Sequence, residues 1–286
     1  MSGDIIVYKK DIPLRRLKRL YFTPYFCYYS YMYKKISAVD YKNMLGFPKD
    51  YKIDGFIIYG TYKTFPFEQI EESLMKLKIQ YSITRLEDFL SNIAEITIGR
   101  KKYWFTIAYG GAMLSEHLHL ACLFGSKKNI LIGTCGGLKK GAENGDLVIP
   151  NWSFANESSA KAYQPDVKCK YESDRFLNNR LIKKLAPKHT LHRGATITFQ
   201  AMLAETWEDI LKWSELGYVG VEMEAATVFA TSNSFKVPAS AVLIIGDNLI
   251  EKETFEDDSA KNKHDQRMQI SQDIFDAVVE EILRAN

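Results

Sequence analysis

The stretch GYVGVEMEAATVFATSNSFKVPASAVLIIGDN, residues 217–248, changes its hydrophobic pattern twice. An apolar run ending near Val221 leads into a segment, 224–232, whose apolar residues recur at spacings of three and four, which predicts a strand followed by a helix. A second apolar run at 240–245 predicts another strand and ends in Gly-Asp-Asn at 246–248. This alternation is typical of an α/β domain around a mixed or parallel sheet.

The same alternation extends over most of the chain. Short apolar runs predict further strands at 55–59, 94–98, 104–108, 129–132, 146–149 and 195–198. Helical spacing predicts further helices at 67–77, 112–124, 175–185, 205–216 and 266–283, and Gly99 opens a turn between paired strands. We find no internal repeat and no low-complexity linker, so one α/β domain at 51–286 with an N-terminal extension at 1–50 is the simplest organisation.

The extension carries an unusual aromatic segment, YFTPYFCYYSYMY at 21–33, between two basic clusters. Tyrosine suits half-hydrated contacts, so we expect this segment to pack on the main domain or on a neighbouring subunit. An interfacial membrane or partner-binding arm is the alternative.

Composition narrows the function classes. The 286 residues are 46% hydrophobic, and 38 basic against 35 acidic residues give a net charge of +3, which demands neither nucleic acid nor an anionic membrane as partner. The four cysteines are widely spaced, and we expect a cytoplasmic protein without a secretory signal. The five histidines have no convincing metal-ligand spacing. The composition therefore leaves a small molecule as the expected ligand.

Ligands of open α/β sheets bind at the carboxyl ends of strands, and three such ends carry notable residues. The segment GTCGG at 133–137 can turn backbone N–H groups toward an anion, with the Thr134 hydroxyl as an extra donor, although a purely structural turn explains it equally well.

The second strand end carries two carboxylates, Glu222 and Glu224, on either side of Met223. Burying carboxylates without partners is costly, so at least one should meet a ligand or a cation. A carboxylate that accepts two hydroxyl protons suits the cis 2′ and 3′ hydroxyls of a ribose. An ion-paired or solvent-facing Glu222 and a core Met223 are the ordinary alternatives.

Asp247 stands at the third strand end. Most aspartates in such turns are caps, but a carboxyl at the mouth of an apolar strand is partly desolvated. Its pKa then rises, and it can hold a proton to donate near neutral pH.

Taken together, GTCGG at 133–137, VEMEAA at 221–226 and IIGDN at 244–248 resemble the hexameric-type purine nucleoside phosphorylases and their uridine phosphorylase, methylthioadenosine phosphorylase and nucleosidase relatives. The resemblance covers about residues 54–286. It implies a three-layer α/β/α domain around a mixed, partly barrel-like sheet, and a homo-oligomer built from dimers, up to a hexamer.

The resemblance also implies roles for individual residues. Asp247 would protonate the purine at N7, Glu224 would hold the ribose hydroxyls, and Met223 would lie beneath the nucleoside. The remaining matched positions are Glu222, Met202, Tyr109 and Gly110 for the substrate, and Thr134, Gly133 and Gly60 for phosphate. No metal or organic cofactor is implied, and phosphate is the co-substrate.

Two positions depart from the family pattern. An arginine of the phosphorylases is replaced by Leu131, and Thr64 stands where phosphorylases have a second arginine and hydrolytic relatives a glutamate. Lys63 or Arg85 could substitute, although ordinary surface roles are more common. We therefore expect cleavage of a purine nucleoside with phosphate, with a phosphate-independent hydrolase and a non-catalytic nucleoside-binding relative as alternatives.

Overall fold

The computed structural model describes residues 33–61, 67–155, 157–252 and 264–285. The aromatic segment up to residue 32, together with Lys63 and Thr64, lies outside the described residues.

Ten strands and eight α-helices make up the described part of the chain. The strands are β1 Gly55–Gly60, β2 Ser82–Arg85, β3 Ile93–Ile98, β4 Lys101–Ala108, β5 Asn129–Gly137, β6 Leu147–Phe154, β7 Lys170–Glu172, β8 Leu191–Thr198, β9 Tyr218–Glu222 and β10 Ala239–Asn248. The helices are α1 Ala38–Met44, α2 Phe67–Lys76, α3 Ala112–Leu123, α4 Ser158–Tyr163, α5 Arg175–Leu185, α6 Trp207–Glu215, α7 Ala225–Ser234 and α8 His264–Leu283.

Every strand and helix predicted from the hydrophobic pattern is present, and β3 and β4 are joined by the predicted turn. The pattern missed α1, α4, β2 and β7. Each of these is seven residues or shorter, too short for a period to stand out. None of the described helices is long and apolar enough to cross a lipid bilayer.

The sheet closes on itself at one end. Strands pair in the order β10-β6-β8-β9-β5, and β5 pairs again with β10, so these five strands form a closed ring. Strands β1, β4, β3 and β2 extend the sheet outward from β5. The ring mixes parallel pairs with antiparallel ones, such as β9 against β5. The prediction of a mixed, partly barrel-like sheet is confirmed.

Helices cover both faces of the sheet and complete the predicted three-layer α/β/α arrangement. Helices α3, α4 and α7 pack on one face, and α2, α5 and α8 on the other. Alternation along β5 divides the core between them: Leu131 joins the cluster that contains Phe229 of α7, whereas Ile130 and Ile132 join the cluster that contains Phe275 of α8.

Part of the predicted N-terminal extension packs on the main domain. Tyr41 of α1, Leu45 and Phe47 lie against the core cluster of the α7 face. The Phe47 ring stacks on Tyr51 with a centroid distance of 4.1 Å and meets Phe124 edge-on. The division of the chain into an extension at 1–50 and a domain at 51–286 stays a prediction.

Candidate active site

The three sequence motifs lie on three neighbouring strands of the ring. Strand β5 carries the glycine-rich segment and pairs with β10 on one side and β9 on the other. The register places Gly136 of β5 opposite both Asp247 of β10 and Val221 of β9. Residues more than 100 positions apart in sequence therefore meet at one end of the ring.

Asp247 lies where β10 bulges. The register between β10 and β5 shifts between Ile245 and Asp247, and the Asp247 side chain is partly buried. The backbone is held on both sides: Asn144 donates to the Gly246 carbonyl at 2.5 Å, and fully buried Asn248 donates to two carbonyls of the loop after β5. A bulge of this kind changes the direction of a side chain and is common next to active sites.

Glu224 precedes α7 and is 5% exposed. Its Oε1 accepts a hydrogen bond from the Gly110 backbone N–H at 2.7 Å. On its other side, a Cβ at Gly60 would lie 3.1 Å from Glu224 Oε2. Burial, followed by the neighbouring charge of Glu222, raises the pKa of Glu224 to about 8. Glu224 is therefore a buried carboxyl that holds a proton at neutral pH and lies between two glycines of the predicted site.

Glu222 has a different environment, although it is only two residues away. Its carboxylate accepts bonds from the Thr198 hydroxyl at 2.6 Å, from Ser153 at 3.1 Å, and from the backbone N–H groups of Glu224 and Ala225 at 2.7 and 2.6 Å. An anion at the N-terminus of α7 satisfies otherwise unpaired donors and opposes the positive end of the helix. Both oxygens of Glu222 are thus bonded to protein groups.

Two of the residues predicted to bind phosphate, Gly60 and Gly133, lie next to each other, since a Cβ at Gly133 would lie 3.7 Å from the Gly60 carbonyl oxygen. Thr134 is exposed, as a hydroxyl that binds an anion requires. Leu131 is fully buried and its Cδ1 lies 3.5 Å from the Cβ position of Gly60, so an apolar side chain lies beside this glycine.

Arg85, one of the substitute cations considered from the sequence, lies on β2. Its guanidinium is 5.7 Å from the centre of the Phe67 ring.

A cavity of about 390 Å³ adjoins Glu224 and is of a size typical of small-molecule sites. Three of its lining residues, Tyr109, Met202 and Met223, were predicted from the sequence as substrate contacts. Residues 200, 201, 203 and 204 complete the lining. The cavity is open, because Tyr109 is 55% and Met202 42% exposed.

Two residues of this region were missed by the sequence reasoning. Gln200 lines the cavity, and its Nε2 is buried without a hydrogen-bond partner among the described residues. A Cβ at Gly111 would overlap the Gln200 amide and the Thr227 hydroxyl, so both side chains would have to move to admit a larger residue. Gln200 follows the end of β8, where the strand-end rule could have found it. Glu205, three residues beyond Met202, had no sequence signal.

Comparison with known proteins agrees with this geometry. Residues 96–284 match the phosphorylase superfamily. The chain is 25% identical over 185 residues to a DeoD-type purine nucleoside phosphorylase of Clostridium beijerinckii, covering 57% of this chain and 75% of the relative. It is 24% identical over 217 residues to a 5′-methylthioadenosine/S-adenosylhomocysteine nucleosidase of Desulfotalea psychrophila, covering 64% of this chain and 90% of the relative.

A guanosine phosphorylase of Halorubrum lacusprofundi is 29% identical over 119 residues, which cover 41% of this chain and about half, 49%, of that protein. The superfamily match includes β5, β9 and β10 with all three motifs, and the closed ring flanked by helices agrees with it. The chain belongs to the phosphorylase superfamily of nucleoside phosphorylases and nucleosidases.

Proposed function

We propose that the protein cleaves the N-glycosidic bond of a purine ribo- or deoxyribonucleoside, with phosphate as the acceptor, to give the free base and a pentose 1-phosphate. The observation that carries the proposal is the meeting of Glu224, the β5 glycine-rich segment and Asp247 at one end of the ring. Relatives named as purine nucleoside and guanosine phosphorylases support purine as the base.

The sugar binds at Glu224. A carboxyl enclosed between Gly110 and Gly60 is positioned to meet two adjacent hydroxyls while backbone N–H groups keep it in place. Met223, Tyr109 and Met202 line the neighbouring cavity, which we assign to the nucleoside. Glu222 contributes indirectly, because its bonds to the start of α7 hold Glu224 in position.

The base is released with help from Asp247. As the bond from C1′ to the base lengthens, its electron pair moves to the base and the sugar gains oxocarbenium character. A proton passes from the Asp247 carboxyl to N7, and a phosphate oxygen forms the new bond to C1′. Asp247 is partly buried at the β10 bulge, at the end of the ring where the glycine-rich segment of β5 lies.

Phosphate binds at Gly60, Gly133 and Thr134. It lies close to Glu224 there, and a protonated Glu224 avoids the repulsion between a carboxylate and a dianion. The missing arginine makes this site weak, since a charge-assisted bidentate bond contributes about 1.5–3 kcal/mol.

Hydrolysis is the second candidate, favoured by the buried apolar Leu131 beside Gly60 and by the similarity to a nucleosidase. Water then replaces phosphate at C1′, and the other steps are unchanged.

The test is product analysis of inosine, guanosine, adenosine, uridine and methylthioadenosine with and without phosphate. We expect purine release that depends on phosphate and yields ribose 1-phosphate.

Asp247→Asn should lower turnover by roughly 10²–10⁴, the usual contribution of a positioned general acid, without changing the unfolding transition. Free ribose released at a rate indifferent to phosphate would establish the hydrolase instead. Absence of turnover with retained nucleoside binding would establish a non-catalytic relative.

Leu131→Arg tests the phosphate site directly. If a lost arginine makes phosphate binding weak, the variant should reach half-maximal rate at roughly tenfold lower phosphate, the equivalent of about 1.4 kcal/mol. Overpacking could cost about 1–3 kcal/mol, so unfolding is measured alongside, with Leu131→Met as the size-matched control without charge. An unchanged phosphate requirement in a stable Leu131→Arg protein would contradict this site.

We also propose that the reaction needs no metal or organic cofactor and takes place in the cytoplasm in a homo-oligomer built from dimers. Exposed apolar side chains such as Leu203, 95% exposed, and Leu216, 64% exposed, support a subunit contact near the cavity.

A further inference from the structure

Glu205 is a carboxyl beside the cavity that the proposed reaction does not use. It directly follows the 3-10 turn Met202–Ala204, whose residues line the cavity, and its N–H donates to the Met202 carbonyl at 3.1 Å. The side chain is partly buried. Its carboxyl forms no hydrogen bond or ion pair with any residue in the described ranges, so its hydrogen-bonding capacity is available to a ligand.

The packing brings Glu205 close to Asp247. Thr206 caps α6, and α6 packs against the 3-10 turn Leu249–Glu251, which begins two residues after Asp247. Leu249 and Ile250 lie on the cluster that contains Ile210 and Trp213 of α6. Glu205 and Asp247 therefore each lie two residues before one of two elements that pack together, and they are close enough for the charge of Asp247 to raise the pKa of Glu205.

The charges around Glu205 are mainly negative. Burial, then the charge of Asp247 and then that of Asp209, raise the pKa of Glu205 to about 7. On the neighbouring 3-10 turn, Glu251 accepts a bond from the Gly141 N–H, and Lys252 lies over the Trp207 ring. Glu205 is therefore protonated below neutral pH and becomes ionised as the pH rises through about 7.

On the basis of the proposed function, we propose that Glu205 determines base specificity. Its carboxyl donates a hydrogen bond to the 6-oxo group of a purine, while Asp247 protonates N7 of the same base. In a 6-oxopurine, N7 and O6 lie side by side on one edge, and both are acceptors. The two neighbouring carboxyls, of Asp247 and Glu205, can donate one hydrogen bond each to these two acceptors. A 6-aminopurine presents a donor at the same position, which an ionised carboxylate accepts instead.

The proposal predicts a selectivity that depends on pH. Protonated Glu205 favours inosine and guanosine, and ionised Glu205 favours adenosine. Other titrating groups, Asp247 included, act on both nucleosides, so they cancel in the ratio of the two kcat/KM values.

The experiment measures kcat/KM for inosine and adenosine from pH 5.5 to 8.5 with the full chain. In the wild type, we expect the inosine-to-adenosine ratio to fall about tenfold across this range, as expected for one hydrogen bond gained or lost. Glu205→Gln keeps a donor but cannot ionise, so its ratio should not change with pH. Glu205→Ala should lower kcat/KM for inosine about tenfold at pH 6 and affect adenosine less. Glu208→Gln, which removes an exposed carboxylate in the first turn of α6, is the matched control and should retain the wild-type profile.

A wild-type ratio independent of pH, or equal losses on both nucleosides in Glu205→Ala, would overturn the assignment of Glu205. If the wild type cleaves neither nucleoside, the proposed function is wrong, and calorimetric binding of inosine and adenosine by the same variants then decides the role of Glu205. Thermal unfolding shows whether each variant is folded.

Discussion

At the scale of single residues, Glu224 makes stability depend on pH. Its pKa rises from the unfolded value of 4.5 to about 8 in the folded, unliganded protein, because it is buried next to Glu222. The folded state therefore holds a proton that the unfolded state releases between these two values. This contribution to stability is complete below pH 4.5 and is lost as the pH rises toward 8.

We therefore expect Glu224→Gln to flatten the dependence of the unfolding free energy on pH. One proton corresponds to a slope of at most about 1.4 kcal/mol per pH unit, and the glutamine cannot release it. Urea unfolding from pH 5.5 to 8.5 without ligand measures the slope, with exposed Glu215→Gln as the control. Parallel curves for the wild type and Glu224→Gln would show that Glu224 is ionised throughout.

At the scale of elements, the connection between β9 and α7 depends on Glu222. The carboxylate ties the start of α7 to β8 through Thr198 and to β6 through Ser153. Thr198 in turn accepts a bond from the Ala226 N–H at 2.9 Å. Removing the carboxylate would leave several buried donors unpaired at once.

Glu222→Ala should lower the unfolding free energy by about 3–5 kcal/mol, because each unpaired buried group costs about 1–3 kcal/mol. Denaturant unfolding measures the loss, and Thr198→Val, which removes only one member of the network, should cost less. A loss below about 1 kcal/mol with greatly weakened nucleoside binding would instead favour the substrate contact predicted from the sequence.

At the scale of the whole molecule, the described part of the N-terminal segment contributes to the core of the domain. Residues 38–53 add Tyr41, Leu45, Phe47 and Tyr51 to the core on the α7 face. Tyr51 also accepts a bond from the Trp104 indole at 2.8 Å. Stability should therefore depend on where a truncation ends.

Deletion of 1–50 should lower the unfolding free energy of the domain by at least about 3 kcal/mol relative to deletion of 1–32, because only the longer deletion removes α1 and Phe47. The longer deletion removes three partly buried side chains, Tyr41, Leu45 and Phe47, and truncation of a single fully buried phenylalanine already costs about 3–5 kcal/mol. Urea unfolding compares the two truncations, and Phe47→Ala in the full chain is the control. Light scattering on the same samples reports whether the aromatic segment affects assembly. Equal stabilities of the two truncations would show that α1 and Phe47 add nothing to the fold.

The sequence by itself determined the order and type of the elements, because periods of two and of three to four residues are local properties of the chain. It also indicated Asp247, Glu224 and Thr134 as strand-end residues, since ligands collect where strands of a sheet end. Only the tertiary structure decided the partners of the two nearby buried carboxyls: Glu222 is bonded to the start of α7, and Glu224 lies between Gly110 and Gly60.

The closure of the five-stranded ring also could not be predicted from local hydrophobic patterns. It depends on the antiparallel pairing of β10 with β6 and on the pairing of β5 with both β9 and β10. Gln200 joins the site only because the segment after β8 lines the cavity together with Tyr109 and Met223, and Glu205 because α6 packs against the 3-10 turn after β10. The sequence alone shows which ionisable group a side chain carries. The pKa of that group and its hydrogen-bond partners depend on residues that are distant along the chain and that folding brings together.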